Sequence, residues 1–302
     1  MEEFIQHMIN GVTIGAFYAL VALGYTMVYG VLKMINFAHG DMFMWGAYIG
    51  WTVLAGLLAV FTRTGPLLVI PAFIGAMVTI ALIGVLIERV AYRPLRRASR
   101  LAPIISALGA AFVLESVARN VWGASYKVYP SGLVPNIEWT LIGSVRIGVE
   151  QVAALLISLL LMAGLYLFVQ YTKVGTAMRA VSLDHDTSRL MGIDVNRIIV
   201  VVFLIGPALG AAGGVMVGLH YGSFDFTLGW MFGLKAFVSA ILGGIGNIPG
   251  AMLGGMILGI VESLGAGYGS AQWKDVIAYL LLIVILIVRP RGLLGERVAE
   301  KL

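Results

Sequence analysis

The residues able to do chemistry are few and scattered. Asn36, His39 and Asp41 fall within six positions of MINFAHGDMFMWGAY (34–48), an amide, an imidazole and a carboxylate set between two long apolar runs. Glu115 and Arg119 are spaced i,i+4, so on a helix they share a face and can pair, which lowers the cost of burying each. Glu262 stands near the outer end of an apolar run, where it can reach headgroups or Lys274, or face a cavity. His7, His39, His185 and His220 lack the spacing of metal ligands, and the sequence has no Cys, which excludes disulfides, thiolate metal sites and Cys nucleophiles. No G-x-S-x-G, H-E-x-x-H or G-x-x-x-x-G-K-[ST] occurs, so hydrolase, zinc protease and nucleotidase chemistry lack their residues. We expect no catalytic residues, no metal and no cofactor bound by this chain, and a function other than enzymatic. GGIGNIPGAMLGG (243–255) is glycine-rich but has no Lys to reach a phosphate, and close helix packing through small residues is its simpler role.

These groups must be positioned by membrane spans. Of 302 residues, 60% are hydrophobic and 12% charged, with a mean hydropathy of +0.97. Such a composition is that of an integral membrane protein. The start, MEEFIQHMIN, is acidic rather than basic and its apolar run is as long as a full span, so it reads as a retained helix rather than a cleaved signal. Crossing a hydrocarbon core of about 30 Å takes about 20 apolar helical residues. Candidate spans are 8–30, 41–60, 67–87, 103–121, 151–171, 198–219 and 275–289. The apolar stretch 227–265 is too long for one crossing and must break, and GGIGNIPG (243–250) supplies the glycines and proline to break it. The expected fold is an all-α polytopic membrane bundle of about eight or nine crossings, with broken or short helices near 31–41 and 243–250, in a single transmembrane domain over 1–302.

Lys and Arg set the orientation. The segment 89–100 carries Arg89, Arg93, Arg96, Arg97 and Arg100; 172–197 carries Lys173, Arg179, Arg189 and Arg197; the tail carries Arg289, Arg291, Arg297 and Lys301. All three should be cytoplasmic, with Arg63, Lys127, Arg146 and Lys274 outside. Counting 227–265 as two short crossings satisfies this parity, with the N-terminus outside and the C-terminus cytoplasmic. The net charge of +5 is thereby explained by membrane orientation, and nucleic acid is not an expected partner. The polar segment 122–150 becomes the largest outer loop, either a connector or a docking surface.

Two further patterns suggest moving parts. In segment 171–198, Val174 to Ala180 can continue the preceding helix out of the membrane, followed by a second, short helix capped by Asp184, Asp186 or Thr187 and ended near Gly192. A structured loop on the inner face of a chain with no motor of its own suits the docking of one. With an offset of 210, VLKMINFAHGDM and ILGGIGNIPGAM match Leu32 with Leu242, Ile35 with Ile245, Gly40 with Gly250 and Met42 with Met252. Corresponding breaks in two halves point to a transport path at a repeat interface. Asp41 is expected to cap the helix at the first break, whereas Asn36, which could cap there too, is expected with His39 to shape the path.

GVTIGAFYALVALGYTMVYG (11–30), MINFAHGDMFMWGAY (34–48), ERVAYRPLR (88–96), KAFVSAILGGIGNIPGAMLGG (235–255) and RPRGLLG (289–295) occur in one order across nearly the whole chain. Together they resemble the permease subunit of bacterial high-affinity ABC importers for branched-chain amino acids. That resemblance implies a permease of the bacterial inner membrane, paired with a second, homologous permease, two cytoplasmic ATP-binding subunits that use the ATP, and an external solute-binding protein that delivers an amino acid. It implies that 172–197 fits a groove of the ATPase, with Arg179, Ala180, Asp184, Leu190 and Gly192 at its core. Within it, SLDHDTSRL (182–190) departs from the alanine, acid and lysine pattern of close members. The resemblance and the repeat together place Asn36, His39, Gly40, Asp41, Gly243, Gly244, Asn247, Pro249 and Gly250 along the translocation path or its gate. Permeases for urea and amides resemble the same pattern, and an ion-coupled secondary carrier or channel using Glu115 or Glu262 is the alternative from another class.

Overall fold

The computed structural model of the chain describes residues 1–61, 65–96, 98–99, 101–135 and 137–295. Arg63, Arg97, Arg100, Arg297 and Lys301 of the basic pattern lie outside the described residues. The long helices are α1 (Glu2–Leu32), α2 (His39–Val60), α3 (Val69–Ile87), α4 (Leu101–Trp122) and α5 (Val149–Tyr171). Two short ones follow, α6 (Lys173–Leu183) and α7 (His185–Leu190), then α8 (Val195–Tyr221), α9 (Leu228–Gly243), α10 (Ile248–Tyr268) and α11 (Lys274–Val288). Among the described residues, eight helical segments are long and apolar enough to cross a membrane, and α9, with 16 residues, is a shorter apolar helix. At 1.5 Å per residue α9 is about 24 Å long, less than the hydrocarbon core. The expected break in 227–265 falls at 244–247, and α9 and α10 fold back as a hairpin.

The centre of the bundle is α1, whose spanning window is 89% buried, against 22% for α4 and 28% for α5. Its crossing with α10 is made close by glycines on both sides: Gly11 and Gly15 meet Gly255, Met256, Gly259 and Ile260 backbone to backbone. In lipid, where apolar side chains gain nothing by leaving hydrocarbon, such close approach is what drives helices together. Helix α8 lies along α1 and α2, buried from Ile198 to Gly218 on its inner face. The lipid-exposed faces of α3, α4, α5 and α11 carry Leu82, Phe112, Leu160 and Ile287, as an apolar surround requires.

Short strands mark one end of the bundle. Strand β1 (Lys127–Val128) pairs antiparallel with β4 (Ser223–Phe224), and β2 (Glu138–Ile142) pairs with β3 (Val145–Gly148). The N-terminus is tied to this end, because Ser144 N–H donates to Glu2 Oε2 (3.0 Å) and Arg146 N–H donates to Gln6 Oε1 (2.8 Å). The segment 122–150 is therefore a structured cap on the bundle. The opposite end gathers the C-terminus of α1, the segment after α3, α6, α7, the α9–α10 turn and the residues after α11, and with them Arg89, Arg93, Arg96, Arg189 and Arg291.

Candidate functional site: two helix breaks and an inner-face hairpin

The first break begins at Lys33, in the left-handed conformation at φ 55, which stops α1. The chain then turns back into the bundle before α2 starts. The His39 ring lies against Gly24 of α1 and Gly210 of α8, and Gly40 packs on Gly229 and Gly233 of α9. Gly24 is eight residues from the end of α1, so α2 begins about 12 Å inside that end. Non-helical backbone at this depth is tolerated only where protein buries it or where it lines a cavity, and 36–39 is fully buried apart from the half-buried Phe37.

This geometry corrects the expected caps. The N-cap of α2 is Ala38, already in a helical conformation (φ −70, ψ −4), and no side chain caps the helix. Asp41 sits in the first turn of α2 instead, where a carboxylate still complements the helix dipole. Asn36 is drawn away from a capping role because its Oδ1 accepts from the Tyr92 hydroxyl (2.8 Å), tying the break to the segment that follows α3. His39 is fully buried and stacks edge-on against Tyr25, with ring centroids 4.9 Å apart. Neither ring nitrogen makes a well-formed hydrogen bond, the backbone of Val21 offering at most a weak one. Asn36 Nδ2 and Thr26 Oγ1 are also buried without partners. Gly24 allows the imidazole this position: a Cβ there would lie 2.1 Å from His39 Nε2.

The second break has the opposite character. Gly244 (φ 107) and Gly246 (φ 100) take conformations closed to other residues, and Gly243 meets Gly250 backbone to backbone. Asn247 caps α10, its side chain accepting from Gly250 N–H (2.9 Å), and Pro249 occupies the first turn, where its missing N–H costs nothing. The last carbonyls of α9 are satisfied from an unexpected source. Leu293 N–H donates to the Leu242 carbonyl and Leu294 N–H to the Gly243 carbonyl, both at 2.9 Å. RPRGLLG thus closes the helix hairpin, a role that no local sequence signal reveals.

On the same end, α5 stops at Thr172, whose extended backbone starts a new helix and whose Oγ1 accepts from Gly175 N–H (3.0 Å). Helix α6 is therefore a separate element, where a continuation of the span was expected. Of the three candidate caps, Asp184 caps α7, its Oδ1 accepting from Asp186 N–H (2.8 Å) and Thr187 N–H (3.0 Å). Gly192 (φ 84) ends the turn. Arg179 folds back onto Gln170 at the end of α5, and Ala180 is half-buried in the last turn of α6. Leu183, Leu190 and Met191 are 85%, 88% and 77% exposed, an apolar knob beyond the end of the bundle. The residue that fastens this hairpin to the core is His185, missed from the sequence. Its Nε2 lies 2.7 Å from the Val31 carbonyl, in the last turn of α1. A neutral imidazole with its proton on Nε2 donates here to a carbonyl that the helix end leaves unpaired.

The embedded charges are arranged otherwise than expected. Glu115 and Arg119 form no ion pair; the Arg119 guanidinium lies over the Phe226 ring, 5.6 Å from its centroid. Glu262 reaches Lys235 rather than Lys274 or the headgroups. Lys235 Nζ is 2.8 Å from both Glu262 Oε1 and Asp275 Oδ1, and the Tyr18 hydroxyl donates to Glu262 Oε2 (2.8 Å). This network clasps α1, α9, α10 and α11 together. Among the described residues no group of His, Asp and Glu could hold a metal ion.

Comparison with known proteins agrees with the geometry. The family described as "Branched-chain amino acid transport system / permease component" matches residues 7–286. The chain is 44% identical to the high-affinity branched-chain amino acid transport system permease protein LivH of Escherichia coli (strain K12), covering 99% of this chain and 97% of that protein. It is 42% identical to the permease protein BraD of Pseudomonas aeruginosa, over 99% of this chain and 98% of that one. A probable branched-chain amino acid transport permease of Methanocaldococcus jannaschii is 29% identical over 91% and 88%. A bundle of spanning helices broken at two places, matched over nearly its full length by these transport permeases, belongs to the permease-component family of branched-chain amino acid transport systems.

Proposed function

We propose that this chain is the membrane permease of an ATP-driven importer for branched-chain or similar neutral amino acids. It acts beside a second, homologous permease, with two ATP-binding subunits on the basic end and a solute-binding protein on the end capped by the β-strands. The amino-acid class rests on the names of the relatives, and the orientation on the basic residues gathered at one end. The N-terminus is then outside and the C-terminus cytoplasmic. ATP is used by the partner subunits, and this chain holds no cofactor.

One observation carries the mechanism: the hydrogen bond from His185 to the Val31 carbonyl. The exposed knob of α6 and α7 is the part an ATPase can grip, with Arg179, Ala180, Asp184, Leu190 and Gly192 as its core. Force on α7 passes through His185 to the last turn of α1, and Lys33 begins the break two residues later. The break carries Asn36, His39, Gly40 and Asp41 into the centre of the bundle, where they form the gate. Gly243, Gly244, Asn247, Pro249 and Gly250 turn the second hairpin beside it, since Gly246 backs onto Gly30 of α1. Glu262 is engaged by Lys235 and Tyr18, so ion coupling through that carboxylate has no free group to use.

The test is uptake of labelled leucine into proteoliposomes holding the full complex. Asn36→Ala and His39→Ala should lower uptake while the variant chains still assemble with the ATP-binding subunits. Normal uptake by both would remove them from the gate, and ATP-independent uptake by the two permeases alone would end the importer reading.

A further inference from the structure

A cavity of about 1150 Å³ opens at the basic end of the bundle. Its walls are the last turn of α1 with 33–35, residues Arg93, Pro94, Arg96, Ala98 and Ser99 after α3, the first turns of α4 and α8, and α7. This exceeds the roughly 300–1,000 Å³ of ordinary small-molecule sites. The proposed transport mechanism runs through His185 and Lys33 on the cavity wall but assigns nothing to the space itself.

Its charge is one-sided. Lys33, Arg93, Arg96 and Arg189 line it, against a single carboxylate, Asp186. Arg189 pairs with Asp186 at 3.2 Å, and Arg96 binds Glu88 and donates to Asn196 Oδ1 (2.8 Å). Lys33 and Arg93 have no ion-pair partner among the described residues, and Arg96 Nε is buried with none. Burial pulls the Arg96 guanidinium below its usual value; Glu88 opposes this, and the neighbouring Arg93 and Arg189 add to it. The start of α8, at Val195 and Asn196, faces the same space, but its free N–H groups at Asn196 and Arg197 are taken by the capping Asp194 carboxylate, so the positive charge of the cavity comes from its side chains. Beneath this rim the lining is apolar, with Leu32, Ile35, Ile104 and Ile199. Beside it the outer face of α4 presents Leu101 and Ile105 to lipid.

A cationic rim over an apolar floor, at the level where helices leave the bilayer, fits an amphiphile rather than a free ion. Basic pockets between membrane helices on the cytoplasmic side take anionic headgroups in this way. We infer that the cavity binds the phosphate headgroup of an anionic phospholipid, held by Lys33 and Arg93, with acyl chain against Leu32 and Ile104. The bound lipid supports the 33–35 segment from below.

The experiment uses the full chain purified with its partner subunits after exchange into vesicles of phosphatidylcholine with phosphatidylglycerol, and counts retained lipid by native mass spectrometry. The wild-type complex should keep phosphatidylglycerol in preference to phosphatidylcholine. Lys33→Gln/Arg93→Gln should lose that preference about thirtyfold, from about fivefold per cation, while Lys33→Arg/Arg93→Lys keeps it. Equal retention by the Gln pair, or loss from the charge-conserving pair as well, would overturn the assignment. So would displacement of the lipid by inorganic phosphate alone, which would mark a soluble-anion site. Loss of the ATP-binding subunits from the Gln pair with lipid retention intact would assign the two cations to the protein partner instead.

Discussion

Removing the imidazole of His185 should uncouple ATP use from transport. In His185→Ala the Val31 carbonyl loses its donor, and α7 loses its bond to α1. A side-chain hydrogen bond of this kind contributes about 0.5–1.5 kcal/mol net. At about 1.4 kcal/mol per factor of ten, losing about 1 kcal/mol of linkage weakens the bias that α7 places on the first break about fivefold. His185 is half-buried and the fold around it rests on Asp184, Ser188 and Gly192, which the change leaves in place. The chain should therefore still assemble with its ATP-binding subunits and still hydrolyse ATP. What should fall, about fivefold, is the number of leucine molecules taken up per ATP in proteoliposomes, both measured on one preparation. His185→Gln retains a donor of similar reach and should recover much of the ratio, whereas His185→Phe should not. An unchanged ratio in His185→Ala would refute the mechanical link, and parallel loss of assembly would make the residue merely structural.

Two further substitutions probe the core. Lys235→Met leaves the Glu262 carboxylate, 3% exposed, with only the Tyr18 hydroxyl, and should cost about 3–5 kcal/mol in thermal unfolding of the solubilised protein. The double variant Lys235→Met/Glu262→Leu should recover most of that loss; no recovery would show that the clasp acts through Asp275 alone. Gly24→Ala places a methyl 2.1 Å from His39 Nε2 and should destabilise by about 1–3 kcal/mol with loss of uptake, while Gly24→Ala/His39→Ala should unfold near the wild-type temperature. Additive destabilisation in the pair would contradict the packing described.

Much of this architecture was legible because lipid imposes simple demands. Helix length, the break within 227–265 and the Asp184 cap follow from bilayer thickness, glycine and proline, and the chemistry of unpaired N–H groups. What the sequence hid depends on depth and direction. Nothing local says that α2 begins about 12 Å inside the bundle, because that is decided by where Gly24, Gly206 and Gly233 let other backbones approach. The i,i+4 spacing of Glu115 and Arg119 promised only about 0.2–0.5 kcal/mol, which the face of Phe226 readily outcompetes. Lys235 and Glu262 meet because α9 and α10 run antiparallel, so their partnership appears only after the hairpin is known. His185 and RPRGLLG likewise act across the fold on carbonyls that helix ends leave open.

The two breaks share a sequence register and differ in what they leave undone. At 244–247 every turn-forming device is present: positive-φ glycines, the Asn247 cap, and two backbone donors from 293–294. A turn so completed has little to gain by rearranging. At 33–39 the opposite holds, since the ring nitrogens of His39 and the side-chain nitrogen of Asn36 are buried without a well-formed hydrogen bond. An unpaired buried polar group costs about 1–3 kcal/mol. A second arrangement that gives these groups protein partners would recover part of that cost. A push toward it is available from one place, because Val31 in the last turn of α1 is bonded to the inner-face hairpin. On the proposed mechanism, the first break is the hinge that moves and the second is the pivot it moves against.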